Sequence, residues 1–252
     1  MPQFYLAGDW ASTNQGEASL PTGSDLAHHL RVRRIQINEA FTVFDGCGHT
    51  ALAKLIALSS QSAEITIEKI QRDTHRELPY AITLIQGLAG GEKMDWIVEK
   101  AVETGASLIA PIECERSILK LKQDSKRLEK RMAHWQAIAK AACEQCDRTV
   151  IPTIKALESF QEAIGKSSAH ELKILLSPDA KESLDQLIYQ TEPQNIQIAI
   201  GPEGGFSPEE EALAQNMGYQ ILSLGPRILR TETAGIVAIT AVNTSWNLKK
   251  TL

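Results

Sequence analysis

Two loops of this sequence carry residues whose types and spacing could bind a ligand or do chemistry. The first runs from Gly201 to Gly205, where the apolar run "NIQIAI" stops at Gly-Pro-Glu-Gly-Gly. Its glycines allow a sharp turn and the close approach of a ligand, and Pro202 stiffens it. The following Ser-Pro-Glu-Glu has the pattern of a capping box, and it crowds the helix start with carboxylates: Glu203, Glu209, Glu210 and Glu211. A phosphate is therefore a poor ligand here. For this loop alone, a tight turn with an acidic cap and no ligand is favoured.

The second loop has the same order of features as the first, a strand-like run, a Gly-Pro turn and a helix. The run "QILSL" ends at Gly225-Pro226, and a polar segment leads into an apolar helix from about Ala234. This segment carries two arginines and a glutamate: Arg227, Arg230 and Glu232. If the two preceding strands are neighbours in a parallel sheet, both loops lie at its carboxyl edge, where α/β proteins bind ligands. Ile228 and Leu229 then suit an apolar pocket, such as one for an adenine ring. Equally open is the alternative that the arginines only pair with Glu232 and Glu203.

The elements that must position these loops show a regular alternation after residue 79. Apolar runs typical of strands are "AITLIQGL", "SLIAPIEC", "LKILLSP", "NIQIAIGP" and "QILSLGP". Helical patterns between and after them are "GEKMDWIVEKAVETGA", "DSKRLEKRMAHWQAIAKAACEQC", "SPEEEALAQNMG" and "AGIVAITAVNTSW". In the first of these helices, one face is apolar: Met94, Ile97, Val98, Ala101 and Val102. The alternation predicts an α/β fold with a mostly parallel sheet.

The first 71 or so residues follow a different pattern. "FTVFDGCGHTALAKLIAL" predicts a strand, a turn and a second strand, and "AEITIEKI" predicts a third. A polar stretch then ends at Pro79, which favours a domain boundary in this region. We therefore expect a small β-rich unit followed by a larger α/β unit.

Composition limits the classes of protein to consider. The chain has 252 residues, of which 43% are apolar, as in a globular protein. No apolar run approaches the ~20 residues that span a bilayer, and the first residues lack a secretion pattern. Four scattered cysteines do not form a disulfide framework, so a cytoplasmic location is expected. "CEQC" has the CxxC spacing of a zinc half-site, but no second pair completes it, so no metal is predicted.

Several ordered motifs together resemble those of the bacterial ribosomal RNA small subunit methyltransferase E family. They are "IGPEGGFSPEE", "LSLGPRILRTETA", "GEKMDWIVEKAVETGASLIAP", "ERS", "ACEQCDR", and "HLRVRR" and "FDG" near the N-terminus. The resemblance covers most of the chain. Gly235 departs from the family's pattern, in which a bulkier residue is common.

This resemblance implies a fold and an activity. The fold is a SPOUT-type α/β domain with a C-terminal trefoil knot at residues 73–252, after a PUA-like RNA-binding barrel at residues 1–72. The activity is methylation of N3 of a uridine in 16S ribosomal RNA of the small subunit, with S-adenosyl-L-methionine as cofactor, by a homodimer. The implied cofactor contacts are Leu176, Ser177, Pro178, Ile200, Gly201, Pro202, Glu203, Gly204, Gly205, Leu224, Gly225, Pro226, Arg227, Ile228, Leu229, Arg230 and Thr231. A sulfonium cation suits a loop flanked by carboxylates better than a phosphate does.

Basic residues are concentrated locally in this acidic chain. Residues 116–148 contain nine basic and four acidic side chains, although the formal net charge of the chain is −5. A lone run of this kind is more often a solvated helix face. Together with the resemblance, it predicts RNA contacts at Arg31, Arg33, Arg34, Lys93, Arg116, Glu144, Gln145 and Arg148.

The implied reaction needs a flipped or unpaired uridine and the loss of the N3 proton. Arg230 could stabilise the negative charge that develops on a uracil oxygen. Glu232 or Glu203 could accept the proton, and the sequence does not choose between them. Two other functions remain open: methylation of a different RNA such as transfer RNA, and RNA binding without catalysis.

Overall fold

The computed structural model describes residues 1–11, 18–22, 24–166 and 171–251. The chain forms two compact units, of which the first comprises Met1–Glu77 and Lys140–Ile151. The second comprises Leu78–Ala139 and Pro152–Leu252. The single boundary after residue 72 stays a prediction. None of the helices described combines the length and apolar character that crossing a membrane requires.

The first unit is a five-stranded sheet with one helix. Its elements are β1 (Gln3–Tyr5), β2 (Ala18–Thr22), α1 (Ser24–Val32), β3 (Ala40–Phe44), β4 (His49–Leu58) and β5 (Ala63–Arg72). The strand order is β1-β3-β4-β5-β2, with β1 parallel to β3 and the other pairs antiparallel. The predicted hairpin from β3 to β4 and the third strand β5 are confirmed. Phe41, Leu55 and Ile65 are fully buried in its core.

The second unit contains the α/β alternation. Its elements are β6 (Ile82–Gly87), α2 (Lys93–Glu103), β7 (Leu108–Glu113), α3 (Ser125–Cys146), β8 (Thr153–Ile154), β9 (Glu158–Ser159), α4 (Phe160–Ile164), β10 (Leu172–Leu176), β11 (Glu182–Ser183), α5 (Leu184–Gln190), β12 (Ile196–Ile200), α6 (Pro208–Asn216), β13 (Gln220–Ser223) and α7 (Thr231–Thr251). Helix α3 belongs to the first unit from Lys140 onward. The strand order is β11-β13-β10-β12-β6-β7-β8, with β9 beside β7, and every pairing is parallel.

The apolar patterns explain these elements. All five residues of β12 are buried, as expected for a central strand of a parallel sheet covered on both faces. The buried face of α2 consists of the five predicted residues: Met94, Ile97, Val98, Ala101 and Val102. Helix α2 packs on α7, and Tyr80 Oη donates to Asn243 Oδ1 on α7 at 3.0 Å. The mostly parallel α/β sheet is confirmed.

Two details differ from the sequence-based prediction. Strands β12 and β13 are not neighbours, because β10 lies between them. Both loops still lie at the carboxyl edge, and the end of β10 lies there as well. Helix α7 begins at Thr231, three residues before the predicted start, so Glu232 belongs to its first turn.

Candidate active site

A cavity of about 370 Å³ lies at the carboxyl ends of β10, β12 and β13. Three segments that follow these strands line it, together with the start of α7 and Lys93. Of the residues predicted to contact a cofactor, all but Gly204 and Pro226 line the cavity. The structure adds Lys93, Glu232 and Ala234 to that lining. The predicted convergence of the loops therefore occurs, with β10 supplying the third wall.

The first loop lies directly against the end of β6. A Cβ built on Gly87 would be 2.5 Å from Pro202 N and 2.6 Å from Pro202 Cδ, so only glycine permits this approach. The loop also folds on itself, since a Cβ on Gly201 would lie 3.0 Å from the backbone of Gly205. Gly205 itself has φ of +70°, in the left-handed region. Glycine is thus required here by the protein's own backbone.

Glu203 is held by two donors of its own unit. Lys93 Nζ and the backbone N of Gly90 both donate to Glu203 Oε1, each at 2.9 Å. Partial burial of Glu203 raises its pKa, but hydrogen bonds from Lys93 and from backbone N–H groups, with the charge of Lys93, outweigh burial and hold the pKa below its ordinary value. Glu203 is therefore an ionised, occupied carboxylate and a weak base.

At the acidic start of α6, Glu210 makes hydrogen bonds that stabilise the fold. Ser207 and Glu210 form the predicted capping box, in which Ser207 N donates to Glu210 Oε2 and Glu210 N donates to Ser207 Oγ. Glu115 N donates to Glu210 Oε1 at 2.9 Å. Glu209, Glu210 and Glu211 do not line the cavity. The carboxylates in its lining are Glu203 and Glu232, beside the cations Lys93, Arg227 and Arg230. The described lining therefore carries both positive and negative charges, whereas the number of glutamates in the sequence had predicted an acidic loop at the ligand.

The second loop combines an exposed arginine with a half-buried carboxylate. The side chain of Arg230 is 83% exposed and its Nη1 is 3.9 Å from Glu232 Oε1. The side chain of Glu232 is only 16% exposed, and its Oε2 is buried without a hydrogen-bond partner among the residues described. Glu203 pairs with Lys93 and not with an arginine of this loop. Glu232 therefore contributes to the cavity lining a carboxylate whose Oε2 is enclosed by protein and has no hydrogen-bond donor among the residues described.

A buried polar side chain behind the cavity connects its parts. Gln86 in β6 is fully buried, and its Nε2 donates to Thr231 Oγ1 at 2.9 Å. Thr231 Oγ1 in turn donates to the carbonyl of Gly201 at 2.6 Å. Sequence analysis missed Gln86, although a lone amide in the apolar run "AITLIQGL" signals a buried polar contact.

The predicted RNA-contact residues of the second unit have partners of their own. Lys93 lies in the cavity. Arg116 Nη1 donates to the carbonyls of Gly204 and Phe206, at 3.2 and 3.0 Å, so it braces the first loop. In the basic segment, Lys122 pairs with Glu162 at 2.9 Å. Among the described residues, three exposed cations of α3 have no carboxylate within 4.0 Å: Lys126, Arg127 and Lys130.

The corresponding residues of the first unit differ in exposure. Arg31, Arg33 and Arg34 are exposed, as an RNA contact requires, and Gln145 is exposed too. Glu144 accepts a hydrogen bond from Tyr5 N and lies 3.3 Å from His29 Nδ1. Arg148 is buried, and its Nη2 donates to Glu77 Oε2 at 2.6 Å. The guanidinium of Arg148 is therefore enclosed in an ion pair, and its contact with RNA stays a prediction.

The described residues contain no cluster of three or more potential metal ligands. Cys143 is buried and Cys146 is half-buried, and both are free thiols. Burial raises the pKa of the Cys143 thiol to about 12.

Comparison with protein families gives two matches. The RNA methyltransferase domain model matches residues 76–243, and the RNA methyltransferase PUA domain model matches residues 21–68. The chain is 34% identical over 218 residues to ribosomal RNA small subunit methyltransferase E of Buchnera aphidicola, covering 86% of this chain and 83% of the relative. It is 30% identical over 229 residues to the protein of the same name from Bacillus subtilis, covering 88% of each.

Comparison with solved structures gives the same result for the fold. A ribosomal RNA small subunit methyltransferase E from Neisseria gonorrhoeae bound to S-adenosyl methionine has a TM-score of 0.87 and 35% identity, covering 98% of each chain. A methyltransferase from Legionella pneumophila in complex with the bound cofactor has a TM-score of 0.88 and 31% identity, covering 96% of this chain and 97% of the other.

Proposed function

Since this chain belongs to the ribosomal RNA small subunit methyltransferase E family, we propose that it methylates N3 of one uridine in 16S ribosomal RNA. The observation that carries the proposal is the convergence of three strand ends on one cavity at the carboxyl edge of a parallel sheet. We propose S-adenosyl-L-methionine as the cofactor, as in the two similar structures.

The residues that line the cavity fit this cofactor. Its size lies in the range of small-molecule sites. Leu176, Ile200 and Leu229 provide apolar surface for an adenine ring, and the backbone of the loops provides polar groups for its edge. Glu232 places a carboxylate in the lining as an acceptor for a donor on the cofactor or on the base. The cofactor would supply an activated methyl group to the nucleophile.

Exposure supports Arg230 as the residue that stabilises charge on the uracil. Among the residues described, its guanidinium has one carboxylate neighbour, Glu232 at 3.9 Å, which leaves it able to approach an incoming base. Donors aimed at the oxygen on which charge develops lower the barrier most. We propose that Arg230 contacts a uracil oxygen as the N3 proton leaves.

Of the two carboxylates, Glu232 is better placed to accept that proton. Glu203 already accepts two hydrogen bonds on one oxygen and has a lowered pKa, which weakens it as a base. Glu232 lines the cavity, and its Oε2 has no donor among the residues described, so a small side-chain movement that exposes Oε2 would let it accept from a uracil N–H without displacing a protein donor. We therefore propose that Glu232 is the general base and that Glu203 positions Lys93 and the Gly90 backbone.

Other parts of the assignment rest on family membership. We propose that residues 1–72 form the RNA-binding domain and residues 73–252 the methyltransferase domain, with a C-terminal trefoil knot. We also propose a homodimer that acts in the cytoplasm on the small ribosomal subunit, without a metal. The exposed arginines Arg31, Arg33 and Arg34 are the proposed RNA contacts of the first unit.

The test is methyl transfer from tritium-labelled cofactor to small ribosomal subunits from cells that lack this gene. N3-methyluridine at one position, identified by mass spectrometry, is expected, with no transfer to transfer RNA. Transfer to transfer RNA alone would overturn the ribosomal assignment. Cofactor binding without transfer to any RNA would overturn the enzymatic one.

Matched variants test the roles of the carboxylates and of Arg230. Glu232→Gln should lower turnover by about 10²- to 10⁴-fold while the cofactor Kd stays within a few-fold. Glu203→Gln should have a much smaller effect on turnover. Arg230→Ala should abolish turnover and largely retain cofactor affinity. Equal losses in the two glutamate variants would contradict the choice of Glu232.

A further inference from the structure

The side chain of Gln86 is a fully buried polar group in the sheet. It lies in β6 between β12 and β7, where its backbone pairs with Ile200 and Pro111. An amide in such a place is unfavourable unless it is hydrogen-bonded. Its Nε2 donates to the carbonyl of Gly87 and to Thr231 Oγ1, both at 2.9 Å. Its Oε1 is buried without a partner among the residues described.

The direction of these hydrogen bonds is fixed by chemistry. Thr231 Oγ1 has one proton, which it donates to the carbonyl of Gly201. It must therefore accept from Gln86, which requires Nε2 to face it. A flipped amide would place Oε1 2.9 Å from the carbonyl oxygen of Gly87, with two acceptors in contact. The order of donation is thus Gln86 to Thr231 to Gly201.

This chain of hydrogen bonds joins the parts of the cavity wall that come from different loops. Gly201 begins the first loop, and Thr231 ends the second loop and begins α7. Both residues line the cavity, whereas Gln86 does not. Gln86 can therefore act on a ligand only through Thr231, which it contacts, and through Gly201, which Thr231 contacts.

We propose that Gln86 is a positioning residue that fixes the two loops relative to each other, so that the cavity is preformed before a cofactor binds. A preformed site binds more tightly because less ordering is left to occur on binding. The proposal deepens the proposed function and rests on it for the identity of the ligand. The positioning itself does not depend on that identity.

The first test uses ligand-free protein. Gln86→Met keeps a similar volume and removes both hydrogen bonds. Amide hydrogen exchange of residues 201–205 and 225–231 should become faster in this variant. The matched control is Ile85→Val, because Ile85 is also buried in β6 but points to the opposite face of the sheet. The control should lower thermal stability without changing exchange in the two loops. Unchanged loop exchange in Gln86→Met would overturn the proposal.

The second test is a double-mutant cycle in cofactor affinity, measured by calorimetry with S-adenosyl-L-methionine. Loss of the bonds to Gln86 should raise Kd by about tenfold. Thr231→Val should have a similar effect, and Gln86→Met added to Thr231→Val should change Kd by less than about twofold, since the connection is already broken. Multiplicative effects would overturn the proposal.

A second pair of variants keeps the test decisive if Gln86→Met does not fold. Thr231→Ser retains the hydroxyl, and Thr231→Val removes it, so the Val variant should bind the cofactor about tenfold more weakly than the Ser variant. The reverse order would show that the methyl group matters and the hydrogen bond does not. Absence of cofactor binding by the wild-type protein would refute the proposed cofactor, and hydrogen exchange would still decide the role of Gln86.

Discussion

Adding one methyl group behind the cavity should have opposite effects at two glycines. At Gly87, a Cβ would lie 2.5 Å from Pro202 N, 2.6 Å from Pro202 Cδ and 2.9 Å from Gly201 C. The shortest of these distances falls about 0.9 Å below the 3.4 Å at which ordinary contact begins. All three neighbours are backbone or ring atoms that cannot rotate away. Gly87→Ala therefore forces the first loop away from β6.

The size of the effect follows from this displacement. Overpacking of this kind destabilises by about 1–3 kcal/mol. A shift of about 1 Å at residues that position substrate lowers turnover by about 10²-fold. Gly87→Ala should thus lower the free energy of unfolding, measured by urea denaturation, and weaken cofactor binding measured by calorimetry.

Gly235→Ala is the matched control. Its Cβ would lie 3.6 and 3.8 Å from the Leu84 methyl carbons and 3.9 Å from Gln86 Oε1, which are ordinary contact distances. Because Gly235 is within α7, alanine should also stabilise the helix by about 0.5–1 kcal/mol. The cofactor Kd should not change. If Gly87→Ala proved as stable as wild type and bound the cofactor equally well, the contact between β6 and the first loop would not be what shapes the cavity.

Three further predictions concern ionisable side chains. Replacing three exposed cations of α3, Lys126, Arg127 and Lys130, by alanine should weaken RNA binding and reduce its salt slope by about one for each phosphate contact that is lost. Lys122→Ala should have neither effect, because Lys122 is ion-paired. An unchanged salt slope in the triple variant would contradict the prediction. The lowered pKa of Glu203 stabilises the fold above the ordinary carboxyl pKa, and this contribution is lost as pH falls through the folded-state pKa. Lys93→Met should therefore lower the free energy of unfolding more at pH 7 than at pH 4, by less than about 1 kcal/mol in urea denaturation, and an equal loss at both would refute the coupling. Iodoacetamide at pH 8 should modify the exposed Cys47 well before Cys143, because burial raises the pKa of the Cys143 thiol to about 12. Peptide mass mapping checks the order of labelling, and labelling of Cys143 before Cys47 would contradict the burial of Cys143.

Much of the second unit could be predicted because its patterns are local. The apolar face of α2 and the capping box at Ser207 follow from spacing within a few residues, and both are confirmed. The order of the strands could not be predicted in this way, since periodicity identifies a strand but not its neighbours. This is why β10 was not expected between β12 and β13. The start of α7 was placed too late because Thr-Glu-Thr is typical of a polar loop.

At the candidate site, the sequence predicted which residues lie in the cavity better than it predicted which side chains they contact. Nearly all of the residues that line the cavity were predicted, but the ion-pair partners of Lys93 and Arg148 were not. A sequence shows that a side chain is charged, but the fold decides what it contacts. Arg148 is enclosed with Glu77, and Lys93 is held by Glu203.

The same reasoning changes the explanation of the acidic loop. Counting glutamates from Glu203 to Glu211 suggested an anionic surface for a sulfonium ion, but backbone N–H groups and Lys93 already occupy Glu203 and Glu210. What remains in the lining is the carboxylate of Glu232, whose Oε2 has no donor among the residues described, beside the exposed guanidinium of Arg230. In the proposed reaction, the exposed cation would meet the RNA and the carboxylate of Glu232 would accept the proton. The proposed choice of base therefore depends on which carboxylate the fold leaves without a donor, and not on how many carboxylates the loop contains.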